Sequence, residues 1–225
     1  MNVVIGDIAV PVKTYLLDCS EVETANQQVI AAKIDDALRK INIPREKFVL
    51  LLSDAASYMT VVTAALKILY LNLFHVTCVA HMLHNCAEKI RAYYTDVDQL
   101  IARTKAATVR NKTRRNEFQN IGMPPEPVLT RWGTWLEAAN YYAKNLVEVR
   151  RIINSFEGNG ILVRKAKDAV NDEGVARSLT AIQRDYSNIP QMIKKVESSK
   201  YTMLEAYKDI TEADFKSDIM PSCHT

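Results

Sequence analysis

The sequence predicts a mixed α/β region followed by an all-helical one, and three observations carry this expectation. Two short β-type runs open the chain, and a buried strand, a helix and a second buried strand follow over residues 48–79. Beyond a proline-rich loop at residues 122–127 only helical periodicity remains. The chain has 225 residues, 48% of them apolar and 24% charged, enough for one large domain or two small ones. Wholesale disorder is excluded.

Residues 2–8 and 13–19 read as strands, and Val10-Pro11 between them discourages helix, so a hairpin is expected. Ser20 and Glu23 have capping-box spacing. Ile30, Ile34, Leu38 and Ile41 then share one helical face, for about five turns, until Asn42 and Pro44 end it. Phe48-Val49-Leu50-Leu51-Leu52 is a continuous apolar run, the mark of a strand covered on both faces of a parallel sheet. Met59, Val62, Leu66 and Leu69 have helical spacing, Asn72 breaks it, and residues 73–79 give a second buried strand. A right-handed crossover over this unit sets Asp54 beside residues 78–81, at the carboxyl ends of neighbouring parallel strands. In open α/β sheets ligands and catalytic groups gather at that edge.

Helical spacing resumes at Ala80 with Leu83, Cys86 or Ala87, Ile90 and Tyr94, and continues through Val97, Leu100, Ile101 and Thr104. Residues 101–115 carry Arg103, Lys105, Arg110, Lys112, Arg114 and Arg115 and no acid. After the proline-rich loop, Thr134 and Glu137 repeat the capping-box spacing. Trp135, Ala139, Tyr142, Leu146, Val149, Ile153 and Phe156 then hold one helical face until Gly158-Asn159-Gly160. Shorter amphipathic helices follow, broken near Gly174, Pro190 and Ser198-Ser199, and the tail from Thr211 is polar.

The four cysteines are unevenly spaced and too few for a disulfide scaffold, and no secretory leader is expected, since neither a basic region nor a cleavable apolar one follows Met1. A reducing compartment, nuclear or cytoplasmic, is therefore expected. The apolar stretch at residues 61–79 is interrupted by Lys67, Asn72 and His75, each costly in hydrocarbon, so no membrane span is expected. The net charge of +3 does not by itself indicate a nucleic-acid partner, which leaves local clustering to decide.

Four groups of residues can carry chemistry. Asp54, at a strand end, offers oxygen to a hard divalent cation, or caps the helix that follows. Cys78-Val79-Ala80-His81-Met82-Leu83-His84-Asn85-Cys86 holds sulfur and imidazole at short spacing, which invites zinc. Helical geometry opposes convergence: His81, His84, Asn85 and Glu88 fall on the polar face, while Cys86 joins Leu83 and Ile90 on the buried one. The six cations of residues 101–115 suit a phosphate backbone, and equally a solvated helix face. Arg131 beside Trp132 pairs a guanidinium fork with a flat indole, suited to a phosphate and an unpaired base. Trp135 falls in register with Ala139 and Tyr142 as a core anchor; Trp132 does not.

Ser53-Asp54-Ala55-Ala56-Ser57-Tyr58-Met59, then Cys78-Val79-Ala80-His81, then Thr130-Arg131-Trp132-Gly133-Thr134-Trp135 resemble, in order and spacing, the hAT superfamily of DNA transposases. The resemblance covers most of the chain up to about Phe156. It implies a truncated ribonuclease H-like mixed sheet with flanking helices over residues 1–121, a linker at 122–131, the start of an all-helical insertion domain at 132–213 and a frayed tail at 214–225. By the same resemblance Asp54 matches the second of three metal-binding acids, Cys78 and His81 flank the active site, and Trp132 matches a tryptophan that stacks on a flipped base.

The family's first aspartate belongs on a strand before Asn2, and its third acid on a helix beyond the insertion domain. Asp7 and Asp18 do not match the first, nor Glu205 and Glu212 the third. The expectation is a transposase-derived protein that binds DNA weakly and cleaves none, with no cofactor unless a complete site held magnesium or manganese. A homo-oligomer or protein partner is a further option. Two alternatives stand beside this reading: a fragment of an active transposase, and a helical protein-binding adaptor without DNA affinity.

Overall fold

A computed structural model describes residues 1–7, 10–24, 26–54, 56–128, 133–158, 160–198, 205 and 208, with backbone alone at 10–12. The chain divides into two compact units, Met1–Met82 and Leu83–Thr225.

The first unit is α/β. Strands β1 (Asn2–Asp7) and β2 (Val10–Cys19) form the expected antiparallel hairpin, with register shifts between Val3 and Val4 and between Gly6 and Asp7. Helix α1 (Gln27–Lys40) starts later than the capping-box spacing at Ser20 suggested. Ser20 is held by the hairpin, its N–H donating to the Met1 carbonyl at 3.0 Å, and Asn26 caps the helix instead, its side chain accepting from the Val29 N–H. Ile30, Ile34 and Leu38 are buried as the spacing requires, but Ile41 lies past the helix end and is exposed.

After a single 3-10 turn, Arg45–Lys47, the strand β3 (Leu50–Ser53), helix α2 (Tyr58–Leu69) and strand β4 (Phe74–Thr77) make the crossover unit, with β3 and β4 parallel and Ser53 opposite Thr77. One core serves the whole unit. Ile30, Ile34 and Leu38 of α1 meet Met59, Val62 and Leu66 of α2, with Tyr70 and Leu73; Ile5, Leu17 and Leu51 pack on from the strands. The Tyr70 hydroxyl donates to Asp35 Oδ1 at 2.7 Å, and the Tyr70 ring stands edge-on to Phe48 at 5.1 Å.

Two expectations fail here. The strands form two separate two-stranded sheets, not one mixed sheet, because neither β1 nor β2 hydrogen-bonds to β3 or β4. The parallel pair is covered on one face only. Leu51 faces the core, but Leu52 and Phe74, which project to the opposite side, are 61% and 69% exposed. Alternation at period two sends every second side chain of a strand away from the helix that packs beneath it.

Helix α3 (Val79–Tyr93) carries the chain across the division, and the second unit is helical throughout its described residues. Its elements are α4 (Thr95–Thr108), α5 (Lys112–Asn116), α6 (Thr134–Ser155), α7 (Ile161–Asn171), α8 (Glu173–Tyr186) and α9 (Ile189–Val196). α4 and α6 both pack against α7 and α8, while α9 packs on α6. Val97, Leu100, Ile101, Tyr142, Val149, Ile153, Val170, Leu179 and Ile182 are almost wholly buried. The breaks fall close to their expected positions with different chemistry. Asp172 separates α7 from α8 and accepts from the Gly174 N–H, and Pro190 opens α9.

The unit boundary lies at Met82, earlier than the expected division at the proline-rich loop. Residues 83–121 contribute α4, whose apolar face is buried against helices from beyond the loop, so they belong with them. The loop itself is docked rather than a spacer. Glu126 pairs with Lys105 at 2.7 Å, the Tyr141 hydroxyl donates to the Gly122 carbonyl at 2.5 Å, and the Thr134 hydroxyl both donates to and accepts from the Val128 backbone. Gly122 and Gly133 have φ of 74° and 75°, the left-handed region that side chains resist. Gly133, not Thr134, is the residue that precedes α6, since the Thr134 hydroxyl is held by Val128.

Candidate nucleic-acid interface

Two places gather the residues singled out by the sequence, one in each unit. The first is the carboxyl end of β3 and β4. The Cys78 N–H donates to the Ser53 carbonyl at 2.7 Å, extending the ladder one step past β4, so the parallel pairing brings the chain at Asp54 beside Cys78 as expected. Asp54 Oδ1 accepts from the Ala56 N–H at 3.2 Å. The carboxylate thus satisfies a backbone N–H ahead of α2, three residues upstream of the Ser57 that precedes the helix.

Ser53 takes a role that the sequence did not suggest. Its hydroxyl lies 2.8 Å from His75 Nε2 and 2.9 Å from the Asp54 carbonyl oxygen. Residues 53 and 75 point to the same side because Leu51 is opposite His75 and Ser53 opposite Thr77. That register is the one signal that would have found the pair. Ser53 and His75 tie the two strand ends together.

Cys78 is half-buried and reduced, and His81 lies in the first turn of α3. Cys86 is buried with Leu83 and Ile90, the face that helical spacing assigned to it. Among the described residues no group of three or more His, Cys, Asp or Glu side chains is arranged to hold a metal ion. Asp54 alone, with its carboxylate turned to Ala56, does not fit a pair of divalent cations. Asp18 pairs with Lys40 at 3.4 Å, away from this edge. Arg131, Trp132 and Glu212 lie outside the described residues. Among those residues no helix is long and apolar enough to cross a membrane.

The second place is the basic segment, and there the structure sorts six cations into two sets. Arg103 donates to Gln99 Oε1 on its own helix, Lys105 pairs with Glu126, and Arg114 is built into the fold. The Arg114 guanidinium donates to the Ala107 carbonyl at 3.0 Å and to the Glu157 carbonyl at 3.4 Å, and lies 5.4 Å from the centre of the Phe156 ring. These contacts position α5, capped by Asn111, whose side chain accepts from the Arg114 N–H. Phe118 is fully buried edge-on to Phe156, which fixes the turn after α5.

The remaining three, Arg110, Lys112 and Arg115, are exposed and line one open cleft of about 570 Å³ between the end of α4, α5 and the loop at Met123. Among the described residues, Val109, Asn116, Phe118, Gln119 and Met123 complete its wall, and no carboxylate lines it. Glu117, on the same turn, helps to raise the Arg151 guanidinium above its ordinary value, after the larger effect of Glu148. Burial pushes the Tyr141 phenol up to about 12, so the donor that anchors Gly122 keeps its proton across the ordinary range. The cleft is therefore a held concavity carrying three cations.

The amide and apolar residues of the cleft were not singled out from the sequence. Their one signal is Val109, an apolar side chain left 41% exposed past the end of α4. Compared with known proteins, the chain matches no family model, no curated protein and no solved structure.

Proposed function

We propose that this chain is a transposase-derived module of the hAT type that binds nucleic acid through its helical unit and does not cleave it. The observation that carries the reading is the convergence of Arg110, Lys112 and Arg115 on a cleft that, among the described residues, no carboxylate lines. Clustered, unneutralised cations attract a phosphate backbone by releasing its condensed counterions, and three of them give weak, salt-sensitive binding. The fold side of the reading is supported by the chain order of the elements alone, a hairpin, a helix and then a parallel crossover unit with Asp54 at its carboxyl end, and not by the sheet, which is divided in two. The non-catalytic side is supported by the sequence, in which Asp54 is the one match to the three metal-binding acids of that family.

Labelled duplex DNA titrated with the full chain at several salt concentrations tests this. Affinity should rise as salt falls, with a log–log slope of about −2.7 for three phosphates. Magnesium or manganese should elicit no nicking of plasmid. Nicking that disappears in Asp54→Ala, or no binding at the lowest salt, overturns the reading. The uncovered face at Leu52 and Phe74 favours a second reading, a protein-binding adaptor, which the second outcome would select.

A further inference from the structure

The cleft is more than a charged surface. Val109 and Met123 belong to its wall and are 41% and 39% exposed, so apolar side chains are left open to water between three cations. Asn116 and Gln119, both exposed, add amide donors and acceptors to the same wall. A volume of about 570 Å³ lies in the range of small-ligand clefts, roughly 300–1,000 Å³.

A duplex would use less of this: its phosphates and groove edges are open to the cations and amides, but its base faces are stacked away, so the apolar wall would find little to cover it. A single strand offers all three chemistries at once: a phosphate for the cations, a base face for Val109 and Met123, and a base edge for Asn116 and Gln119. We infer that the cleft bounded by Arg110, Lys112 and Arg115 seats an unpaired nucleotide of a single DNA strand. The inference rests on the nucleic-acid reading above and names the strand state that the same site selects.

The test compares three fluorescein-labelled probes with the full chain: a twelve-residue oligo-thymidine, an abasic strand of the same length and charge, and a twelve-pair duplex. The thymidine strand should bind at least about 5-fold tighter than the abasic one, the size of effect expected when roughly 40 Å² of apolar surface leaves water. Val109→Ser with Met123→Ser, at positions 41% and 39% exposed, should remove most of that advantage. Arg110→Ala with Arg115→Ala should flatten the single-strand salt slope from about −2 to about −0.7.

Equal binding of the thymidine and abasic strands overturns the inference and leaves the nucleic-acid reading standing. So does an unchanged thymidine advantage in the serine variant. Duplex binding without single-strand binding has the same meaning. Failure of all three probes at low salt overturns both.

Discussion

The two units solve the burial problem differently, and the difference shows what each can do. In the helical unit every long helix sends one apolar stripe into a shared interior, and Leu136, Tyr142, Ile153 and Ile182 are within 1% of complete burial. Its loops are tied down by side chains, as Arg114 and Lys105 show. The α/β unit buries one side. Its strands are apolar on both faces, yet α1 and α2 cover only the face of Leu51, leaving Leu52 and Phe74 to solvent, with Ile68 and Leu71 nearby in sequence at 78% and 86% exposure. Parallel strands are normally buried on both sides. A chain can therefore hold a rigid charged cleft in one unit and an unfinished apolar surface in the other.

The largest expected effect falls in the helical unit. Trp135 is 4% exposed, its Nε1–H donates to Asp98 Oδ1 at 2.8 Å, and Asp98 also receives Arg91 Nε at 2.8 Å. Trp135→Ala should cost about 3–5 kcal/mol, the range for deleting a large buried aromatic, in denaturant unfolding. Trp135→Phe keeps most of the packing and loses a bond to a carboxylate, for about 1.5–3 kcal/mol. Equal costs for the two would show that the Asp98 bond, not the ring, anchors α6. The corresponding probe of the other unit, Leu66→Ala, removes a side chain 1% exposed and should cost about 2–5 kcal/mol.

Alkali should separate the units next. Burial, then the Asp35 bond, pushes Tyr70 up to about 12 in the α/β unit. In the helical unit burial pushes Tyr141 and Tyr186 up to about 12 and Tyr142 higher still. A phenol with a raised folded value keeps its proton between pH 10 and 12, where the unfolded chain has lost it. Stability is thus complete below about pH 10 and falls above it, by up to about 1.4 kcal/mol per pH unit for each of the buried Tyr70, Tyr142 and Tyr186 and by less for the half-buried Tyr141. The helical unit carries more of them and should lose protection first in hydrogen exchange at high pH. Tyr186→Phe should shallow that loss, and an unchanged pH profile would show that Tyr186 ionises as freely in the fold as in the unfolded chain.

How far the sequence revealed this architecture depended on how local the signal was. Helix faces were legible because spacing is a short-range property, so Leu83, Cys86, Ile90, Val97 and Leu100 are buried where the period of 3.6 puts them. The parallel pairing of β3 and β4 was legible for the same reason, from one strand–helix–strand unit. What failed was long-range. Nothing in residues 83–121 announces that α4 packs on α7 and α8, since a buried stripe does not name its partner. In the site, a run of six cations could not say that Arg114 would turn to Ala107 while Arg110, Lys112 and Arg115 face the cleft. Proline content suggested a spacer, but Glu126 and Gly122 are reached by Lys105 and Tyr141 from two different helices.

Gly133 tests the join between the proline-rich loop and the helical unit. Its φ of 75° disfavours a side chain, and an added Cβ would sit 3.0 Å from Ile193 Cδ1 and 3.4 Å from Pro190 Cα on α9. Gly133→Ala should cost about 2 kcal/mol in thermal unfolding, from the left-handed backbone with some crowding added. Gly122 has a similar φ of 74° but open space around it, so Gly122→Ala should cost less, about 1 kcal/mol. If the two cost the same, backbone conformation alone sets the penalty and α9 yields freely.

The smallest change in stability carries the sharpest reading of the α/β unit. Phe74 is opposite Leu50, 69% exposed, and faces away from the shared core. Because its ring is already in water, Phe74→Lys should alter unfolding free energy by no more than about 0.5 kcal/mol. Its effect should appear instead in self-association, since an open apolar face beside unpaired strand edges invites contact between copies and a charge there opposes it. Light scattering at rising concentration should show less association for Phe74→Lys than for the unaltered chain, with Leu52→Lys acting in the same sense. A loss of more than about 2 kcal/mol would mean that the face is covered in solution. The contrast between a one-sided unit and a closed one would then have to be given up.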